Sequence, residues 1–253
     1  MDLFFKRSTI HIDCFTSYEV VYNNFRIDTA SKFFPDSIKQ LPNTVSLKAN
    51  ANALSKLRKN ISTIRLCQGL KDLFTSGFIL PAWSDIDMEC TADGNVIISS
   101  TITDIVGGSI CQQHERFQYG NKFYPEMVHF KLLVPWYLKE KTGVKFTWNS
   151  CDWHRTDRQL DFKLLSGVID FKYQHQVNIN GFMYPETISN IFAGEPLIHM
   201  IPISDKSVKL HHHLISHDEM MLLDTNTIIE TSYRNYRKLK TEESKCPFGF
   251  GKK

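Results

Sequence analysis

Short apolar segments recur through the second half of this 253-residue chain at intervals of roughly ten residues, each bounded by turn-forming residues. The segments that follow this pattern are residues 128–133, 144–148, 160–170, 176–179 and 196–203. Short strands at such spacing are typical of a β-sandwich or a β-barrel. The pattern therefore predicts a mainly β fold, with mostly antiparallel strands in a jelly-roll or distorted-barrel arrangement.

A hairpin is the clearest local prediction within that fold. Residues 87–91 and 96–102 are strand-like, and Ala92-Asp93-Gly94-Asn95 connects them. The Asp-Gly pair supplies the positive φ angles that a tight β-turn requires. Aromatic residues make up 12% of the chain and favour the same conclusion, because flat rings pack well on pleated faces.

The chain divides into three predicted parts. Residues 1–60 are expected to form an irregular N-terminal extension with one strand near residues 10–15, since prolines and a polar stretch at 47–60 interrupt it. Residues 61–215 are expected to form the β domain. Residues 216–253 are expected to form a C-terminal helix and tail, with an extended shape that suits contact between subunits.

Shorter elements are predicted from local spacing. Residues 63–67 alternate like a strand that enters the core, and residues 78–81 begin another strand. Leu70, Leu73 and Phe74 share one face of a short helix that Gly77 would end. At the C-terminal helix, Ser216 and Glu219 have the spacing of a capping box ahead of a helix body at 220–240.

Charge, cysteines and hydropathy limit the function classes. The formal net charge is +3, which gives no electrostatic case for nucleic acid as the main partner. The six cysteines form no Cys-x-x-Cys pair, so no zinc-ribbon or redox signature is present. Neither a secretory signal nor an apolar run long enough for a membrane span is found, so a protein of cytoplasmic type with free thiols is expected.

The most informative stretch for chemistry is Gly167-Val168-Ile169-Asp170, followed by Tyr173. A carboxylate at the end of an apolar strand can act as a general base on water, and an aromatic ring three residues later can stack on a flat base. The alternative is an ordinary core strand that ends in a turn.

This stretch resembles the third signature motif of the trimeric dUTPase and dCTP deaminase superfamily. In that family the Asp activates water or binds the deoxyribose hydroxyl, and the Tyr rejects ribonucleotides. The resemblance implies Asp170 as the general base, Tyr173 as the base or sugar stacker, and Ser150 and His199 as nucleotide contacts. It also implies a homotrimer, and magnesium if nucleotide hydrolysis takes place. Other segments in compatible order are residues 80–87, 143–155, 194–201 and 248–251.

The chain departs from that family where phosphate would be bound. Asn149 stands where the family has the Arg before its Ser, and Pro196 and His199 replace the Arg and the Gln of the fourth motif. A triphosphate needs several cationic or N–H donors, or a magnesium ion, to offset its charge. The candidate base is kept and most of the phosphate clamp is lost, unless Arg155, Arg158 or another subunit supplies the missing donors.

A second resemblance is to a group of uncharacterised proteins from tailed-phage genomes. It extends over the general layout of residues 69–85, 135–136, 167–170, 177–178 and 194–202, and over the ending at 245–248. This resemblance implies a viral origin, with the host cytoplasm or the virion as the location. It implies no chemistry.

Two histidine segments contain residue types that bind metal ions. The run His211-His212-His213 would point to alternating sides of a strand and would not converge on one ion, so a solvated or capping role is favoured, with no metal site predicted. His11-Ile12-Asp13 has the form of part of an iron facial triad, although the sequence indicates no second His for it. Residues 152–155 could line a pocket, or could pack Trp153 over the core.

Two function hypotheses follow. The first is a non-catalytic phage-type structural or assembly protein on a dUTPase-like β scaffold, with copies of itself or other virion proteins as partners. The second is a divergent deoxynucleotide triphosphate pyrophosphatase or deaminase with Asp170 as general base. The loss of the phosphate clamp favours the first. Walker-type loops, nucleophile elbows and Cys-His nucleophile pairs are not found, which sets those enzyme classes aside.

Overall fold

The computed structural model of the chain describes residues 9–46, 60–102, 110–120, 122–154 and 161–228. Its strands are β1 (Ile10–Thr16), β2 (Asp28–Thr29), β3 (Thr44–Ser46), β4 (Asn60–Ser62), β5 (Phe78–Pro81), β6 (Ile86–Cys90), β7 (Val96–Ser100), β8 (Cys111–Gln112), β9 (Val128–Glu140), β10 (Lys145–Ser150), β11 (Phe162–Leu164), β12 (Gly167–Asp170), β13 (Gln176–Met183), β14 (Thr187–Ile191), β15 (Pro196–Pro202) and β16 (Val208–Leu214). Its α-helices are α1 (Glu19–Asn24), α2 (Asp36–Lys39), α3 (Gln68–Thr75), α4 (Arg116–Tyr119) and α5 (His217–Ile228), and short 3-10 helices lie at Ala30–Phe33, Ile64–Leu66 and Asp152–His154.

Two large open sheets and two small ones contain these strands. The first large sheet has the order β11-β13-β9-β1-β16, with β8 added beside β9, and the second has the order β12-β10-β15-β5-β2. A third sheet has the order β14-β6-β7, and β3 pairs with β4. Among the described strands, β1 and β16 are the parallel pair and the other pairings are antiparallel. The predicted mainly β, mostly antiparallel fold is confirmed.

One continuous hydrophobic core lies between the two large sheets. Alternate residues of β1 and β9 face it, including Ile12, Phe130 and Trp136, and the opposite sheet contributes Phe78 and Phe146. Residues from β6 extend the same core under the third sheet. This arrangement fits the principle that a sheet must bury its apolar face against another layer.

A second, smaller core covers the other face of the β10-β15-β5 sheet. Ala30, Ile79 and Cys151 are buried there, with Phe33 and Trp153 packed against them. Because Trp153 packs in this way, the 3-10 turn after β10 is fixed against the sheet. Of the two alternatives left open for residues 152–155, Trp153 packs over this small core, while His154 lines a cavity.

Several local predictions are also confirmed. The β6–β7 hairpin closes through a bond from the Thr91 N–H to the Asn95 carbonyl, with Gly94 at φ +82°. Helix α3 is followed by Gly77 at φ +72°. At α5, the Ser216 N–H donates to the Glu219 carboxylate at 2.9 Å and the Glu219 N–H donates to the Ser216 hydroxyl at 3.2 Å, which is a reciprocal capping box.

Three strand predictions need correction. Residues 63–67 do not form a core strand; Ile64–Leu66 is an exposed 3-10 helix. The single strand expected over residues 160–170 is two strands in different sheets, β11 and β12. Strands β14 and β16 are not among the predicted strands; in β16 His212 interrupts the alternation of Val208, Leu210 and Leu214, and the strand next to it is nearly 200 residues away.

The predicted extension contributes to the main body. The strand expected near residues 10–15 is present as β1, and it lies between β9 and β16 in the six-stranded sheet. Residues 47–59 of the linker predicted at 47–60, the helix body beyond 228, the residues Arg155 and Arg158, and the glycine-rich segment 248–251 lie outside the described residues.

Candidate functional site

Asp170 ends β12 and shapes the turn that follows. Its backbone carbonyl accepts hydrogen bonds from the N–H groups of Tyr173 and Gln174 at 3.0 and 2.9 Å. Its carboxylate accepts a third from the Lys172 N–H at 3.1 Å. Asp170 is only 6% exposed, so the candidate base is largely occupied in holding its own turn.

Tyr173 is half-buried in this turn. The Lys172 ammonium lies 5.4 Å from the centroid of its ring, which is within the range of a cation–π contact. Lys145 is the residue of β10 that lies opposite Asp170. Asp170 therefore has one lysine opposite it on β10 and another two residues later in its own turn, and the predicted motif lies at one end of β10.

Ser150 and His199 lie near the other end of β10, where it pairs with β15. In this ladder Asn149 lies opposite His199 and Ser150 lies opposite Ile198. Since neighbouring residues of a strand point to opposite faces, Ser150 shares the face of the core residue Ile198, and His199 points to the other face. The two predicted ligand contacts are close in the ladder but point away from each other.

Both side chains are held by internal hydrogen bonds. The Ser150 hydroxyl donates to the Asp152 carboxylate. His199 is 1% exposed, and its Nε2 lies 2.8 Å from the Ser76 carbonyl, so Nε2 carries the proton. Burial lowers the pKa of His199, with the Ser76 carbonyl opposing that shift, and the neutral imidazole serves as a fixed link between β15 and the turn after α3.

The two halves of the predicted site are separated along β10. Lys145, which is aligned with Asp170, and Ser150 are five residue steps apart on β10, which corresponds to about 17 Å of extended chain. The structure brings Asp170 and Tyr173 together and places Ser150 and His199 elsewhere. A single nucleotide pocket containing all four side chains is not formed within one described chain.

A cavity of about 490 Å³ brings together two of the other segments singled out in the sequence. His154 lines it from the turn after β10, Gly194 and Glu195 line it from the turn before β15, and Pro196 lines it from the start of β15. Lys32 and Lys39 also line it, but each forms an ion pair, with Asp28 and with Asp36 respectively. The cations at this cavity are therefore already balanced by carboxylates, and it does not replace the missing phosphate clamp.

The histidine segments meet in a way that the sequence did not indicate. Parallel pairing of β1 with β16 places His11 Nδ1 2.9 Å from His211 Nε2, and Asp13 Oδ1 3.0 Å from His213 Nε2. His212 points to the opposite face, where its Nε2 lies 2.8 Å from the Ile27 carbonyl. Within the described ranges no group of three or more metal-ligating side chains is found. The only sequence signal was the alternation of the run, since its neighbour β1 lies far away in the chain.

Comparisons with known proteins identify no relative. No protein-family model matches the chain, and neither a curated protein nor a solved structure matches it. No helix in the part of the chain that the structure describes is long and apolar enough to cross a membrane.

Proposed function

We propose that this protein is a non-catalytic structural or assembly component of phage type, in which the β-sandwich acts as a scaffold for contacts with copies of itself or with other virion proteins. The observation that carries the proposal is the separation of Asp170 from Ser150 and His199 along β10. The viral setting rests on the sequence resemblance to tailed-phage proteins, which implies the host cytoplasm or the virion as the location.

The internal bonding of each candidate group supports a structural role. A general base needs access to water and to a substrate atom within hydrogen-bond reach. Asp170 accepts the Lys172 N–H and is nearly buried, and His199 is buried against the Ser76 carbonyl. Groups that satisfy the backbone of their own turn, or that of a neighbouring segment, stabilise the fold and need no ligand.

One observation favours the alternative, a deoxynucleotide triphosphate pyrophosphatase or deaminase. Lys145 lies opposite Asp170 on β10, and the turn after Asp170 contains Lys172 and the Tyr173 ring, so a carboxylate, an aromatic residue and two lysines occur in one region of the chain surface. In this alternative Asp170 is the general base, Tyr173 stacks on the base or sugar, and magnesium offsets the triphosphate charge.

Calorimetric titration distinguishes the two functions. Purified full-length protein is titrated with dUTP, dCTP and dTTP in magnesium, beside Asp170→Asn and a control variant, Glu89→Gln, which changes an exposed carboxylate on β6. No saturable heat from folded protein is the expected result. Saturable heat with one nucleotide that weakens in Asp170→Asn, but not in Glu89→Gln, would support the enzyme and overturn the proposal. Asp170→Asn keeps a carbonyl oxygen for the Lys172 N–H, so loss of folding is not expected to obscure the comparison.

A further inference from the structure

Strand β16 lies at the edge of the six-stranded sheet and leaves half of its backbone groups facing outward. In the described part of the chain it pairs only with β1, in an unbroken parallel register. The bonds at the two ends of the ladder run from the Ile10 N–H to the Ser207 carbonyl at 2.8 Å and from the Ile215 N–H to the Thr16 carbonyl at 3.0 Å. In a parallel ladder with these bonds, the odd-numbered residues of β16 direct their N–H and C=O groups toward β1. The even-numbered residues, Val208, Leu210, His212 and Leu214, therefore direct their N–H and C=O groups to the open edge.

Within the described residues this edge has few of the features that protect a sheet edge from pairing, and Lys209 is its one lysine. It is seven residues long, contains no proline and has no register shift. Helix α1 and Ile27 pack on the core side of β16, where the His212 ring reaches the Ile27 carbonyl. At the end of the strand Leu214 is 45% exposed, which leaves an apolar side chain in position for a cross-strand neighbour.

We propose that β16 pairs antiparallel with β16 of a second copy of the chain, around a two-fold axis at His211. In that register Val208 lies opposite Leu214 and Leu210 lies opposite His212, so every outward-facing residue meets an outward-facing residue. The six-stranded sheets of the two copies would then form one continuous sheet. An isologous contact of this kind closes on itself and yields a dimer.

The side chains of the same register are compatible with a two-fold contact. Leu214 gains Val208 of the second copy as an apolar neighbour. On the outer face Lys209 lies opposite His213, whose ring is bonded to Asp13, so the ammonium group meets a carboxylate-bearing pair and not another lysine. This charge arrangement favours a second copy of this chain over an unrelated strand as the occupant of the edge.

Disulfide crosslinking tests both the dimer and its register. In a Cys67→Ser, Cys246→Ser background, His211→Cys is expected to form a covalent dimer on mild oxidation, because residues opposite each other at a non-hydrogen-bonded antiparallel site have Cα atoms about 4.5 Å apart. Lys209→Cys alone should not crosslink, since its two copies would lie about 13 Å apart along the strands. The double variant Lys209→Cys, His213→Cys should crosslink.

Sedimentation of the unmodified chain gives the oligomeric state, and proline substitution tests the edge itself. Leu210→Pro removes an outward N–H without touching the β1 ladder, and Leu210→Ala is the matched control for loss of the side chain. The dimer dissociation constant should rise at least about tenfold in the proline variant relative to the alanine variant.

A monomer or a trimer, or a dimer that crosslinks at Lys209→Cys and not at His211→Cys, would overturn the proposal. These results are separate from nucleotide titration, so failure of the dimer is distinguishable from failure of the proposed function.

Discussion

At the scale of single residues, Gly77 shows most directly how the backbone limits substitution. It adopts φ +72°, and a Cβ placed there would collide with the Met200 carbonyl of β15. Gly77→Ala is therefore expected to destabilise the protein by about 2 kcal/mol or more, through left-handed strain and the displaced ladder. Urea unfolding followed by far-UV circular dichroism measures the change.

Gly69 provides the matched control for that substitution. It lies in α3, is exposed, and has no atom within 4 Å of an added Cβ. Gly69→Ala should stabilise the protein by about 0.5–1 kcal/mol, because alanine has the higher helix propensity. Equal effects from the two substitutions would show that the turn after α3 does not hold Gly77 as described.

His199 leads to a prediction about pH. Burial lowers its pKa below the unfolded value of about 6.5, so the unfolded chain binds a proton first as pH falls. The free energy of unfolding should be constant with respect to this group above pH about 6.5 and should decrease as pH drops below it. Burial lowers the pKa values of His129 and His212 in the same direction, so all three contribute to the slope.

Comparison of variants isolates the contribution of His199. His199→Asn retains a donor for the Ser76 carbonyl but does not titrate, so its free energy of unfolding should fall less between pH 7.5 and pH 5.5 than that of the unchanged protein. An identical slope in His199→Asn would contradict the role assigned to the buried imidazole.

At the scale of secondary-structure elements, the capping box of α5 makes the C-terminal helix dependent on one hydroxyl. Bonds from Ser216 to Glu219 also lower the pKa of that carboxyl. Ser216→Ala should lower the free energy of unfolding by about 1 kcal/mol and reduce helicity. Ser216→Asp keeps an acceptor at the N-cap and should retain most of this stability and helicity. Far-UV circular dichroism through thermal unfolding measures both. Equal loss in the two variants would show that the cap is not the source of the stability.

The same scale shows what could be predicted from the sequence. The hairpin at Asp93-Gly94, the helix before Gly77 and the cap at Ser216 depend on residues a few positions apart, so local chemistry was sufficient to find them. Strand β16 depends on β1, which lies nearly 200 residues away, and His212 interrupts its apolar alternation of Val208, Leu210 and Leu214. Non-local pairing of this kind leaves little trace in a single sequence.

The candidate site was predictable to the same limited degree. Asp170 and Tyr173 are three residues apart, and their proximity follows from the turn that they share. The order of the segments in the chain predicted that Ser150 and His199 lie near the same site. The register of the β10–β15 ladder determines to which face of the sheet each side chain points. A shift of one residue in that register would exchange the faces, and sequence spacing alone does not determine the register.

At the scale of the whole molecule, β1 and β16 are the first and last described strands of the chain, and they are hydrogen-bonded to each other in the six-stranded sheet. This sheet is therefore complete only when both ends of the described chain are present. Ile10, Ile12 and Cys14 of β1 are buried in the same core as the residues that follow position 61. Removal of β1 would expose this core and separate β9 from β16. The part of the chain that shares this core therefore includes β1, which lies in the segment that the sequence predicted to be an extension.

Deletion of residues 1–60 tests this directly. The shortened chain is expected to lack a cooperative unfolding transition and to aggregate, because it loses a central strand and leaves Leu138 and Trp136 of β9 without their neighbours. Within the full chain, Ile12→Ala should cost about 2–5 kcal/mol, and Lys39→Ala, at an exposed position of the same segment, should change stability by less than about 0.5 kcal/mol. A soluble 61–253 fragment with a single sharp thermal transition would instead establish residues 1–60 as a separable extension, since a sheet missing its central strand could not retain the packed core that such a transition reports.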